Sequence, residues 1–117
     1  MKTFLATMLA TILFLAAGLE AATINAALQW TDNSANEDGF TVERASAQDG
    51  PFAVMGNVVA NVVTFVDPNL QPATQYCYRV KAFNTVGPSG YSNVACLTTP
   101  SLPSGPGNVT VTVTLTP

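Results

Sequence analysis

An all-β sandwich is the fold this sequence predicts, on three observations. Runs of alternating or β-branched residues follow one another without helical stretches, and turn formers separate them at short spacing. The large aromatic residues Trp30, Phe40 and Tyr76 fall in three different runs, as anchors of a single core would. With 117 residues in all, one domain is expected.

The elements can be justified in order. Met1 and Lys2 precede an uncharged apolar run that reaches Leu19 and ends in small residues, which is the pattern of an export leader. The run is slightly short of the ~20 apolar residues a spanning helix needs, and no polybasic stop follows it. Residues 1–21 are therefore expected to be a signal peptide cleaved after Ala21, with cleavage after Gly18 or retention as an N-terminal anchor as the alternatives. No Cys follows the run, so no lipid anchor is indicated, and no membrane insertion is expected after cleavage.

Ile24, Ala26, Leu28 and Trp30 alternate with Asn25, Ala27, Gln29 and Thr31, the mark of a half-buried strand. The turn formers from Asp32 to Gly39 stop it. Phe40, Val42 and Arg44 share one face of the next strand, with Thr41 and Glu43 on the other. Gln48-Asp49-Gly50-Pro51 is a turn before a run beginning at Phe52. Asn61 to Asp67 is a further β-rich run stopped by Pro68, and Asp67 reads as a turn starter. The strand from Tyr76 to Phe83 and the one from Tyr91 to Thr99 flank the turn-rich segment Asn84 to Gly90.

Leu28-Gln29-Trp30, Gly39-Phe40-Thr41-Val42 and Leu70-Gln71-Pro72-Ala73-Thr74-Gln75-Tyr76 occur in that order. Together they resemble a fibronectin type III module of the kind found in secreted bacterial proteins, over residues 28–99. The resemblance implies an immunoglobulin-like sandwich of about seven strands with Trp30, Phe40, Leu70 and Tyr76 as core anchors. It also implies that the Tyr76 hydroxyl reaches back to a backbone group a few residues upstream. Two departures stand out. The first strand of such a module has no sequence to form it once residues 1–21 are removed from residues 22–99. A Pro/Gly linker over residues 100–107 then leads to an extra C-terminal strand over residues 108–117. There Val109, Val111, Val113 and Leu115 alternate with threonines as a candidate donor strand for the vacant place.

Two cysteines in an exported chain suggest one bridge. If Tyr76, Tyr78, Val80 and Ala82 face the core, then Cys77, Arg79 and Lys81 face outward, and Ala95 and Leu97 inward put Cys96 outward too. Pairing Cys77 with Cys96 sets Phe83 opposite Gly90 and leaves Asn84 to Ser89 as the turn.

Chemistry is largely excluded. The chain has no His, so a Ser-His-Asp or Cys-His arrangement cannot be built. Glu37 and Asp38 do not match, with Asp32, the spacing of a calcium hand and read as solvated turn formers. Four basic residues against seven acidic ones provide no patch for phosphates, which argues against nucleic acid. The resemblance also implies that the strands carrying Glu43 and Arg79 are neighbours, so the two, both outward, are expected to form an exposed cross-strand ion pair of little energetic weight. Asn108-Val109-Thr110 matches a glycosylation acceptor, a pattern too short to carry weight.

The expectation is a secreted or cell-surface, non-enzymatic module with no cofactor and no metal, whose partner is protein, copies of itself head to tail included, or carbohydrate. Thr85, Val86, Gly87 and Pro88 form the candidate partner-contact loop, against the reading of a tight turn with its aromatics packed on neighbouring strands. Three functional classes stay open: a self-assembling subunit, a stand-alone binding module, and a fragment of a multi-module protein.

Overall fold

The computed structural model describes residues 8–15, 23–112 and 114. Eight strand segments occur among them: β1 (Met8–Leu15), β2 (Thr23–Trp30), β3 (Gly39–Ala45), β4 (Ala53–Val59), β5 (Thr64–Asp67), β6 (Gln75–Phe83), β7 (Pro88–Tyr91) and β8 (Ala95–Thr98). β1, β2 and β5 make one antiparallel sheet in the order β1-β2-β5. The second sheet runs β4-β3-β6, with β7 and β8 both lying along β6 as two halves of one broken last strand. The result is a seven-stranded all-β sandwich, with no helix among the described residues.

The core lies where the alternation places it. Ile24, Ala26, Leu28 and Trp30 of β2 are buried against Phe40 and Val42 of β3 and Tyr78, Val80 and Ala82 of β6. Leu70 closes one end of this cluster, while Tyr76 is half-buried and packs on its margin. Trp30 and Phe40 meet edge to face, with ring centroids 5.6 Å apart, an arrangement that suits their opposed ring charge distributions. Gly39 starts β3 between the Val58 carbonyl and the Phe83 ring, where a Cβ would collide with both.

The place of the first strand, expected to be vacant once residues 1–21 are lost, is filled in the whole chain by part of that leader. Met8–Leu15 pairs antiparallel with all eight residues of β2, from Met8 opposite Trp30 to Leu15 opposite Thr23. β2 has a full row of backbone donors and acceptors on this side, and an apolar β-capable run is the segment that satisfies them. The rest of the proposed leader, residues 1–7 and 16–21, lies outside the described residues. The C-terminal strand expected over residues 108–117 is not formed among the described residues. Residues 101–112 and 114 are exposed and carry no strand, with Val109 and Val111 each 83% exposed. Val113 and Leu115 lie outside the described residues.

The last hairpin is tighter than the alternation suggested. Cys77 and Cys96 do stand opposite one another, but Phe83 pairs with Pro88 rather than Gly90. Asn84 and Gly87 exchange backbone hydrogen bonds of 3.1 and 3.2 Å, so the turn has only Thr85 and Val86 at its tip. A register slip between Lys81 and Phe83, and the break between β7 and β8, absorb the difference. Two serine hydroxyls replace ladder carbonyls there: Ser89 Oγ accepts from the Ala82 N–H at 2.8 Å, and Ser92 Oγ from the Val80 N–H at 2.9 Å.

Candidate interaction surface

The outer face of the larger sheet is organised around Glu43. β3 and β6 place Glu43 directly opposite Arg79, as the alternation predicted, yet Glu43 is only 5% exposed. That corrects the reading of an exposed pair. Glu43 Oε1 accepts from Arg79 Nε at 3.0 Å and Nη2 at 2.8 Å. Oε2 accepts from the Tyr91 hydroxyl at 3.1 Å and lies 3.4 Å from Lys81 Nζ. The Arg79 guanidinium is held between two rings, 4.0 Å from the Phe52 centroid and 3.7 Å from that of Tyr91. Planar guanidinium groups favour such stacking on aromatic faces. The positions of Phe52 and Tyr91 around Arg79 were not legible beforehand, because Phe52 joins the cluster from the loop before β4 and Tyr91 from the end of β7, whose register shifts against β6.

Burial by itself would raise the Glu43 carboxyl, but the hydrogen bonds from Arg79 and Tyr91, the Arg79 charge and Lys81 together hold it below its ordinary value of 4.5. A carboxylate depressed in the folded state contributes stability above its unfolded pKa and loses it as the pH falls through the folded value. Glu43→Gln is therefore expected to cost ~1.5–3 kcal/mol at neutral pH, the range for a hydrogen bond to a charged group. The same substitution should flatten the loss of stability below pH 4.5. Urea titrations of both proteins from pH 7 to pH 3 check this, and parallel curves would mean that Glu43 is not the titrating hub.

A second polar cluster lies inside the sandwich. Asp67, at the end of β5, is 3% exposed and joins the two sheets: its Oδ2 accepts from the Tyr78 hydroxyl at 2.6 Å and from Arg44 Nη1 at 2.9 Å. Burial, then the Asp67 carboxylate, raises the Tyr78 hydroxyl well above the usual phenol range, so it stays a donor. The turn-starter reading of Asp67 is thus too modest. At the same end the Tyr76 hydroxyl accepts the Gln71 N–H at 2.9 Å, the reach-back expected of a tyrosine corner.

The candidate contact loop is a tight turn with an exposed tip, and its flanking aromatics pack on the sheet, Phe83 against Gly39 and Tyr91 over Arg79. Val86 is 94% exposed at the hairpin tip, with Thr85 beside it. Asn84 braces the base, its Oδ1 accepting from the Val86 and Gly87 N–H groups and its Nδ2 donating to the Asn36 carbonyl. Pro88 begins β7 and Gly87 has a φ of 151°, in the region that favours glycine. Cys77 is buried and Cys96 exposed on this same sheet, and the two are bridged with their Cα atoms 4.0 Å apart. Glu37 is tied into its loop, accepting the Asn61 N–H at 3.3 Å. Among the described residues no group of three or more His, Cys, Asp or Glu converges as a metal site would require.

A sandwich whose distinctive features are a braced loop tip, an ordered sheet face and open sheet edges defines a module of the immunoglobulin-like architecture. The profile of the fibronectin type III domain matches residues 19–96, and the chain belongs to that family. Such modules are typically non-catalytic interaction or structural domains. Solved structures with the same fold include the sixth fibronectin type III domain of human fibronectin type III domain containing protein 3, at 24% identity and a TM-score of 0.57, covering 73% of this chain and 79% of that one. An Fn3-like protein from Clostridium thermocellum is similar at 22% identity and a TM-score of 0.57, covering 68% of this chain and 81% of that one. The FN1-FN3 domains of chicken CNTN1 match at 20% identity and a TM-score of 0.67, covering 85% of this chain and 31% of that longer one. A comparison with curated proteins finds no match.

Proposed function

We propose that this chain is an exported, non-enzymatic structural and interaction module that acts at the cell surface or outside the cell, with protein as its partner. The Cys77–Cys96 bridge carries the reading, because such bridges persist in oxidising compartments and are rare where glutathione and thioredoxin keep thiols reduced. The Lys-led apolar run before Ala21 supports the same route. The braced tip at Val86 is the surface best suited to contact, since an apolar side chain held out on a rigid turn loses little freedom on binding. Assembly with copies of itself is favoured by one further observation, the alternating tail whose described residues carry no strand and leave Val109 and Val111 in solvent.

The test is to express the full chain in a host with an export route and measure the intact mass of the product before and after reduction and alkylation. The expected product lacks residues 1–21 and takes up two alkyl groups only after reduction. Reduction should lower stability by up to ~3 kcal/mol, the chain-entropy value for a loop of this size, and by less where the hairpin already restrains it. A chain retained in the cytoplasm with two free thiols would overturn the reading.

A further inference from the structure

The place occupied by β1 is an exchangeable slot. β1 lies inside the segment that export removes, and the family match begins at residue 19, beyond it. On the other side of the slot β2 contributes Ile24, Ala26, Leu28 and Trp30 to the core. Removal of residues 1–21 leaves the backbone of β2 unpaired along that edge and a strip of core uncovered, the kind of edge that recruits another strand.

We propose that in the processed protein the C-terminal tail of a second copy fills this slot, pairing antiparallel with β2; the inference rests on the export reading above. Composition is the first support. A strand with one face in the core and one in water needs strict alternation. Val109, Val111, Val113 and Leu115 supply four apolar residues at period two for the four buried residues of β2, with Thr110, Thr112, Thr114 and Thr116 between them. The run from Met8 to Leu15, by contrast, has large apolar residues at both parities, Met8, Ile12 and Phe14 at one and Leu9, Leu13 and Leu15 at the other, as a leader core does. On the β1 register, Val109 would stand opposite Trp30 and Leu115 opposite Ile24.

Direction is the second support, and it selects a second copy. The tail leaves the sandwich beside the start of β2: Ala73 N–H donates to the Pro100 carbonyl, and Leu70 N–H donates to the Ile24 carbonyl. The slot is entered antiparallel from the opposite end, next to Trp30. To enter there, a chain's own tail would have to travel the whole of β2, about 23–27 Å at the usual rise. The linker of residues 100–107 spans at most about 26–29 Å when fully extended, which leaves no slack to round the end of the sandwich. From its own exit the tail can enter only in the parallel sense, opposite to the pairing that β1 shows. The tail of a neighbouring copy has neither restriction. Donation of this kind runs head to tail and does not close, so it produces open chains.

The experiment uses the exported, processed chain, with its N-terminus confirmed by intact mass, and measures solution mass from nanomolar to high micromolar concentration. The expected result is a mass that rises past the dimer with concentration. Val111→Asp, a change at an exposed residue of the unpaired tail, should hold the protein at monomer mass. Thr112→Asp, with the same charge at the other parity, should leave assembly intact. Addition of a synthetic peptide of residues 108–117 should cap the chains and raise the melting temperature of the Val111→Asp protein. A processed parent that stays monomeric at every concentration overturns the proposal, and so does equal loss of assembly in both Asp variants. A monomer that Val111→Asp destabilises shows insertion of the chain's own tail and overturns the second-copy assignment. Retention of residues 1–21 in the exported product would instead refute the cleavage on which the proposal rests, and the slot would remain with β1.

Discussion

Trp30→Ala is expected to unfold at a much lower denaturant concentration than the parent, with a loss of ~3–5 kcal/mol, the usual cost of truncating a large core aromatic. Trp30 is 3% exposed, ends β2, packs edge to face on Phe40 and stands opposite Met8 of β1. The cavity would open where the two sheets meet, beside a segment that the Trp30 N–H holds in place through the Val63 carbonyl at 3.1 Å. Its indole Nε1 has no hydrogen-bond partner among the described residues, so truncation removes packing rather than a polar contact. Trp30→Phe should therefore restore most of the loss. Against a typical total of 5–15 kcal/mol, the Ala variant sits near the limit of folding at ambient temperature. An unchanged urea midpoint would remove Trp30 from the core and the fold assignment with it.

Asp67→Ala is expected to have the next largest effect. Removing one partner of a buried charge pair commonly costs ~3–5 kcal/mol, because the other groups keep their burial without their bond. Here the stranded groups are the Tyr78 hydroxyl, wholly buried in β6, and the Arg44 guanidinium, whose side chain is 31% exposed and can turn partly to water. The loss should thus fall at the lower end of that range, and most of it should trace to Tyr78. A double-mutant cycle isolates this share: in a Tyr78→Phe background, Asp67→Ala should cost distinctly less than in the parent. Additive losses would mean that the link between the sheets carries no coupling energy.

The two clusters also show how far local pattern could go. Phe40 and Val42 on the core face, Glu43 and Arg79 on the outer face and Cys77 opposite Cys96 follow from period-two alternation, and the resemblance made the strands of Glu43 and Arg79 neighbours. Alternation assigns a face but not a depth. It put Glu43 outward correctly and could not see that Tyr91 and Lys81 would converge on it, with Phe52 stacked on its partner Arg79. Asp67 beside Pro68 carries a turn signal in its own neighbourhood, and only the meeting of the two sheets makes it the acceptor for Tyr78 and Arg44.

The amino-acid sequence by itself determined the class of fold and the partner of each cysteine, through side-chain chemistry repeated at fixed spacing, and the core anchors at Trp30, Phe40 and Leu70, through its resemblance to the family. Tertiary structure alone decided the tight Asn84–Gly87 turn, the buried acids and the occupant of the edge beside β2. The last is the clearest case. An apolar run such as Met8–Leu15 and an alternating one such as Val109 to Leu115 are both competent strands on local grounds. Which of them pairs is a question of which edge is open and from which end it can be entered, and that geometry exists only once the two sheets have come together.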